Sequence, residues 1–305
     1  LPTKATIHDE IRKKKLELGA VILSHSYQPG EIQELGDFIG DSLGLCVEAA
    51  ETDARVIVFC GVRFMAESAK LLNPDKTVLL PVPDAGCPMA DMATPEAVRT
   101  LREQHPDAVV VTYVNSGAEV KAESDICCTS SNAVRVVESI PREKPIIFVP
   151  DRNLGQWVAE QAGRELILWE GFCPVHARFT AEDVRSARAT YPDAQVLVHP
   201  ECDPTVTEMA DYVGSTEGMF QYCRKTEPGG VFVIGTEIGL IERLEREVPG
   251  HRYIPLSGRG LCVNMKKIRP EDVLTSMERM QRRIELDPDT AKRAMVPLRR
   301  MMDLR

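Results

Sequence analysis

No run of apolar residues in this chain approaches the ~20 that cross a bilayer; runs such as those around 109–111 and 231–234 are short strand-like clusters. No charged-then-apolar segment of the secretory kind stands near residue 1. Basic charge is also scarce: 37 Lys and Arg against 46 Asp and Glu leave a net charge of −9. That excludes the sequence-independent phosphate binding that nucleic-acid proteins build from basic surfaces. A dense disulfide framework is missing too, since nine cysteines, an odd number, are scattered through 305 residues. The expectation is a cytoplasmic protein with neither membrane nor nucleic-acid partner, its thiols kept for metal or catalysis.

What the chain does contain is an internal repeat. Three windows align without a gap, starting at Ala20 (AVILSHSYQPGEIQELGDFIGDSLG), Ala108 (AVVVTYVNSGAEVKAESDICCTSSN) and Ala194 (AQVLVHPECDPTVTEMADYVGSTEG). Each apolar run ends on a ring-bearing residue at the same offset: His25, Tyr113, His199. Asp37, Asp125 and Asp211 follow in register, then Ser42, Ser130 and Thr216. The spacings of 88 and 86 residues exceed a solenoid unit and suit a small domain. Later in each copy come Cys87, Cys173 and Cys262, followed by TPEAV, TAEDV and RPEDV, helix starts with Pro or an acid in the first turn.

Within a copy the pattern predicts strands at 21–24, 38–39, 55–60 and 77–80, alternating with helices at 32–36, 42–51 and 64–72. Alternating strands and helices imply parallel sheets covered on both faces. The fold class is therefore α/β: three tandem homologous three-layer αβα domains with parallel sheets and pseudo-threefold symmetry. The expected units are 1–93, 94–179 and 180–268, with a C-terminal helical segment over 269–305. Stretches 7–18 and 277–283 hold the place of the inter-repeat helices 95–104 and 181–189, so a helix from each end closes the ring.

In open parallel sheets, ligands bind beyond the carboxyl ends of the strands, where His25, Tyr113, His199 and the three cysteines fall. Threefold convergence would make a three-thiolate site without any CxxC motif, suited to zinc or an iron-sulfur cluster. A [4Fe-4S] cluster on three cysteines leaves one iron open to act as a Lewis acid. The alternative is three buried cysteines in equivalent core positions. Cys46, Cys60, Cys127, Cys128, Cys202 and Cys223 do not recur in all three copies and read as structural. Ser42, Ser130 and Thr216 cap helices or bind an anion at the helix start. Tyr27 and Glu201, two residues past the histidines, share a side with them if the segment is extended, and could shuttle protons.

These residues sit in segments that resemble one family. HSYQ (25–28), GDSLGL (40–45), CPMAD (87–91), YVNS (113–116), TSSNAV (129–134), PDRNLG (150–155), CPVH (173–176), VHPEC (198–202), DYVGST (211–216), GTEIG (235–239) and CVNMKK (262–267) resemble quinolinate synthase, over about residues 8–275. The resemblance implies a [4Fe-4S] cluster on Cys87, Cys173 and Cys262. It also implies a transferase of NAD biosynthesis that condenses iminoaspartate with dihydroxyacetone phosphate to quinolinate, losing phosphate and two waters. An L-aspartate oxidase or dehydrogenase would supply the iminoaspartate. Tyr27, Tyr113 and Glu201 become the acid/base residues; His25, Ser42, Tyr113, Asn115, Ser130, His199, Glu201, Ser215 and Thr216 bind the substrates' carboxylates and phosphate. His176 receives no role, and Ser26 stands where many members have Asn. Another [4Fe-4S] hydro-lyase, or a non-catalytic iron-sulfur sensor, is the competing reading. Beyond 285 the chain resembles nothing useful, and Lys292, Arg293, Arg299 and Arg300 read as a solvated helix face.

Overall fold

The computed structural model describes residues 4–304, with side chains from Thr6 onward; residues 1–3 and 305, at the ends of the first and last expected units, lie outside it. The first eight elements are α1 Lys4–Leu18, β1 Ala20–His25, α2 Gly30–Gln33, β2 Phe38–Gly40, α3 Ser42–Glu51, β3 Val56–Cys60, α4 Arg63–Leu72 and β4 Thr77–Leu79. The order repeats as α5 Pro95–Gln104, β5 Val109–Tyr113, α6 Ala118–Ala122, β6 Ile126–Cys128, α7 Ala133–Glu138, β7 Ile146–Val149, α8 Arg152–Ala162 and β8 Ile167–Leu168. It repeats again as α9 Ala181–Thr190, β9 Gln195–Val198, α10 Pro204–Thr207, β10 Tyr212–Val213, α11 Thr216–Lys225, β11 Val231–Gly235, α12 Gly239–Glu247 and β12 Arg252–Pro255. Helices α13 Pro270–Arg279 and α14 Pro288–Met302 follow.

The three sheets are wholly parallel and share one strand order: β2-β1-β3-β4, β6-β5-β7-β8 and β10-β9-β11-β12. The recurring aspartates explain how each short second strand is held. Asp37, Asp125 and Asp211 each accept a backbone N–H from the first strand, of Ile22 (2.8 Å), Val110 (2.8 Å) and Val196 (2.7 Å). Each also pairs with a base on the preceding helix, respectively Lys15, Arg102 and Arg188. The carboxylate satisfies a donor that the brief edge strand leaves open.

Strand alternation divides the core. Val21, Leu23, Ile57 and Phe59 of the first sheet, Val111 and Phe148 of the second, and Leu197, Phe232 and Ile234 of the third face one shared central cluster. The intervening residues fill three separate outer clusters: Ile22, Val56 and Val58; Val110 and Ile147; Val196 and Val233. Helices cover both faces of each sheet: α3, α4, α7, α8, α11 and α12 pack on the faces that join the central cluster, and α1, α5, α6, α9, α10 and α13 on the outer faces. This is the three-layer αβα arrangement expected, with roughly 1.5–3 kcal/mol from each fully buried large side chain.

Helices α1 and α13, which flank the three repeats, both pack on the outer face of the first sheet. Ile7 and Ile11 of α1 share its outer cluster with Val273 and Met277 of α13, which closes the ring as expected. Helix α13 begins earlier than the expected 277–283. Pro270 suits its first position, and Asp272 accepts the N–H of Arg269. Lys292, Arg293, Arg299 and Arg300 of α14 lie exposed, the solvated face expected of them, while its other face, which the sequence reading left without a role, is covered. Ala294, Leu298 and Met301 of α14 are fully buried in the central cluster, Arg293 pairs with Glu123, and Arg300 donates to the carbonyl of Asp125. Among the described residues, no helix is long and apolar enough to cross a membrane.

Candidate active site and metal centre

A cavity of about 170 Å³ opens where the three sheets' carboxyl ends meet. His25, Tyr27, Ser42, Tyr113, Asn115, Ser130, His199, Glu201 and Thr216 line it, together with Cys87, Cys173 and Cys262. Of the expected site residues only Ser215 does not. Its Oγ accepts the Gly218 N–H at 3.1 Å and caps α11.

The helix starts differ from expectation in one respect. Asp41 and Ser215 cap α3 and α11, which leaves Ser42 and Thr216 as first helical residues with hydroxyls free of that duty. In the second repeat, Ser130 lies in a turn ahead of α7, because Asn132 Oδ1 accepts both the N–H (2.8 Å) and the hydroxyl (3.1 Å) of Thr129. Ser131 joins the three starts: its Oγ donates to Asp41 Oδ2 at 2.7 Å and lies 2.8 Å from Ser215 Oγ.

The segments after β1 and β9 turn tightly instead of running extended. Gln28 N–H bonds to the His25 carbonyl, and Cys202 N–H to that of His199. The turns bring the Tyr27 N–H to Nδ1 of His25 (3.1 Å) and the Glu201 N–H to Nδ1 of His199 (3.2 Å). With Nδ1 accepting, the proton of each neutral ring sits on Nε2. Burial pushes both rings down to about 3, aided at His25 by the charges of Arg243 and Lys266 and resisted at His199 by Glu201. Both are neutral donors at physiological pH.

A row of buried groups links the two tyrosines. Tyr113 donates to Glu201 Oε1 at 2.6 Å, and Glu201 Oε2 lies 2.7 Å from His176 Nδ1. A carboxylate only accepts, so Nδ1 carries a proton, and Nε2 lies 2.8 Å from Thr236 Oγ1. Thr236 then accepts from the Tyr27 hydroxyl at 2.6 Å, and Tyr27 accepts from Thr216 at 2.7 Å. The His176 and His199 rings stack at 4.5 Å. Burial alone would raise Glu201, but His199, His176 and the hydrogen bonds from His176 and Tyr113 more than offset it and hold the carboxyl below its ordinary value. Burial drives Tyr27 and Tyr113 well above 10.

The three aligned cysteines differ from the other six, which are all buried, in being only half-buried at the cavity. Burial pushes the Cys87 thiol up to about 12 and raises Cys173 and Cys262 as well, so a cationic partner is needed to draw out their thiolates at neutral pH. That donor set fits a soft metal group. Cys173, His176 and Glu201 also offer ligand atoms within 4.8 Å of one another. Exposed Leu261 and Val263 flank Cys262.

Sequence reasoning left His176 without a role and missed Thr236, Asp151 and Glu237. His176 is legible as the fourth residue of CPVH, three past a candidate ligand. Thr236 and Glu237 are legible only once GTEIG is aligned with PDRNLG. Ser26 faces away from the cavity: its Oγ donates to the Gly40 carbonyl (3.1 Å) and accepts from Arg243 (3.0 Å).

Three parallel α/β units converging on one cavity of thiols, imidazoles, phenols and a buried carboxylate define an enzyme whose site includes a group able to hold a metal. The family model described as quinolinate synthetase A protein matches residues 9–303. Quinolinate synthase of Geobacter metallireducens is 51% identical over 297 residues, covering 97% of each chain. That of Methanoregula boonei is 49% identical over 300 residues (98% of this chain, 99% of the relative). Quinolinate synthase 2 of Methanosarcina acetivorans is 48% identical over 298 residues (98% and 96%). The chain belongs to the quinolinate synthase family, enzymes of NAD biosynthesis.

Proposed function

We propose that this chain condenses iminoaspartate with dihydroxyacetone phosphate and closes the ring to quinolinate, releasing phosphate and two waters. Each of the units 1–93, 94–179 and 180–268 contributes one cysteine, Cys87, Cys173 and Cys262, to hold a [4Fe-4S] cluster. When bound, the cluster supplies an iron without a protein ligand, a Lewis acid toward a substrate hydroxyl or carboxylate. The observation that carries the reading is the meeting of these thiols with the Tyr113–Glu201–His176–Thr236–Tyr27 row in one cavity.

The chain's own groups divide the work by their protonation. Both tyrosines hold their protons at neutral pH, and Glu201 is ionised. A substrate proton arriving at the Tyr113 oxygen displaces the phenolic proton onto Glu201. One arriving at the Tyr27 oxygen passes the phenolic proton through Thr236 to Nε2 of His176. The two tyrosines thus relay to the same Glu201–His176 pair, and tautomerisation and water loss can alternate through it. Neutral His25 and His199 offer Nε2–H to carboxylate oxygens. Ser42, Ser130 and Thr216, at three converging chain turns, offer hydroxyls beside helix-start N–H groups to the phosphate and carboxylates, with Asn115 beside them and Ser215 holding the start of α11.

An L-aspartate oxidase or dehydrogenase is the proposed source of iminoaspartate. The test is an anaerobic assay of the iron-reconstituted chain with both substrates. Quinolinate as product supports the reading; dehydration of some other hydroxy acid in its place would move the chain to another hydro-lyase activity.

A further inference from the structure

The three cysteine loops are tethered alike at one point and differently at the next. In each repeat a backbone N–H just past the third strand donates to the carbonyl two residues before the cysteine. The pairs are Arg63 to Ala85 (2.8 Å), Arg152 to Gly171 (2.8 Å) and Ile238 to Gly260 (2.9 Å). This register makes Val62, Asp151 and Glu237, the residues immediately before those donors, structural equivalents.

Two of the three are carboxylates, each buried and each bonded to the cysteine's own backbone. Asp151 Oδ2 accepts the Cys173 N–H at 3.0 Å while Oδ1 accepts the Leu154 N–H at 2.7 Å. Glu237 Oε1 accepts the Cys262 N–H at 3.1 Å, while Oε2 accepts from the Gly239 N–H at 2.7 Å and from Lys266 Nζ at 3.0 Å. Val62 has no acceptor to offer Cys87. The loops are correspondingly closer where the carboxylate is present. A Cβ on Gly171 would stand 2.4 Å from the Pro150 carbonyl, and one on Gly260 2.8 Å from that of Thr236. The first repeat carries a Cβ at the same place, in Ala85.

Burying a carboxylate is costly unless its oxygens are satisfied, and here all four oxygens serve donors of the loop and of the helix start below it. We infer that Asp151 and Glu237 are positioning residues of the metal centre, each fixing the backbone of one ligand, Cys173 and Cys262, while Cys87 is held without a carboxylate. The inference rests on the reading of those cysteines as metal ligands. An isosteric amide cannot replace either residue, because its NH2 would face a backbone N–H, donor against donor.

The test uses the full chain reconstituted anaerobically with iron and sulfide, then challenged with a ferrous chelator. Loss of visible absorption gives the release rate, and freed thiols are trapped with iodoacetamide and mapped by mass spectrometry. Asp151→Asn is expected to release iron about tenfold or more faster than wild type, in line with losses on removing a ligand's supporting partner, with Cys173 alkylated before Cys262. Glu237→Gln is expected to speed release similarly with the order reversed. Should either variant be insoluble, Asp151→Glu and Glu237→Asp displace the oxygens and read the same order. Wild-type rates in the variants, or one shared order of alkylation, would overturn the inference alone. A wild-type chain that takes up no iron would overturn the ligand reading, and the inference with it.

Discussion

Tyr113, at the end of the second sheet's first strand, donates a 2.6 Å hydrogen bond to Glu201, which stands just past the corresponding strand of the third sheet. Neither residue is complete without the other repeat. Tyr113→Phe removes the relay to Glu201 but keeps the ring, so kcat should fall about a hundredfold or more, while stability should fall by about 1–3 kcal/mol because the buried Glu201 Oε1 loses its donor. Steady-state kinetics beside a melting curve separates the two effects. Glu201→Gln should lower kcat at least as far with little loss of folding stability, because the amide carbonyl can accept from His176 Nδ1–H while its NH2 donates to the Tyr113 oxygen, leaving no carboxylate to take the proton.

The cysteines divide into two groups by position. Cys87→Ala, Cys173→Ala and Cys262→Ala should each abolish iron binding and activity together. Cys46→Ala, in the core of the first unit, should leave iron per chain unchanged. A full iron complement in any of the first three variants would contradict the ligand set.

His25 and His199 make stability fall in acid. The unfolded rings take up protons near 6.5, whereas the folded ones do so only near 3. The unfolded chain therefore binds more protons below about pH 6.5, and the contribution of the neutral rings is lost as pH falls from there toward 3. His25→Asn should flatten the dependence of melting temperature on pH across that window. A variant as acid-sensitive as wild type would refute the assignment.

Helix α14 reaches the cavity indirectly. Asn132 Nδ2 lies 3.4 Å from the carbonyls of Met301 and Leu304, while Asn132 Oδ1 holds Thr129, next to Ser130. Asn132→Ala should raise KM for the phosphorylated substrate severalfold more than it lowers kcat. Leu298→Ala, in the fully buried stripe of α14, should cost about 2–5 kcal/mol in a denaturant titration.

Much of this architecture was legible because the chain states it three times. The triplets His25/Tyr113/His199 and Cys87/Cys173/Cys262 each mark one geometric place, and repetition at 88 and 86 residues is a signal that a single strand-end histidine lacks. What escaped reading depends on turns and long-range pairing. Tyr27 and Glu201 reach the cavity because a backbone N–H bends back to the preceding imidazole, not because the segment is extended. Ser42 and Thr216 look like caps until Asp41 and Ser215, one residue earlier, take that role. Thr236 sits more than 200 residues from Tyr27 in sequence, and nothing local announces that the two will share a proton. The burial of α14 was hidden because its partners lie in the first two units, while its basic residues suggested a solvated face.

The most direct test of the account is made without oxygen. The chain is purified anaerobically, its iron and sulfide are counted, and quinolinate formation from iminoaspartate and dihydroxyacetone phosphate is assayed. The account predicts about four irons per chain together with quinolinate. A chain with no iron, or a full cluster that yields no quinolinate, would contradict it.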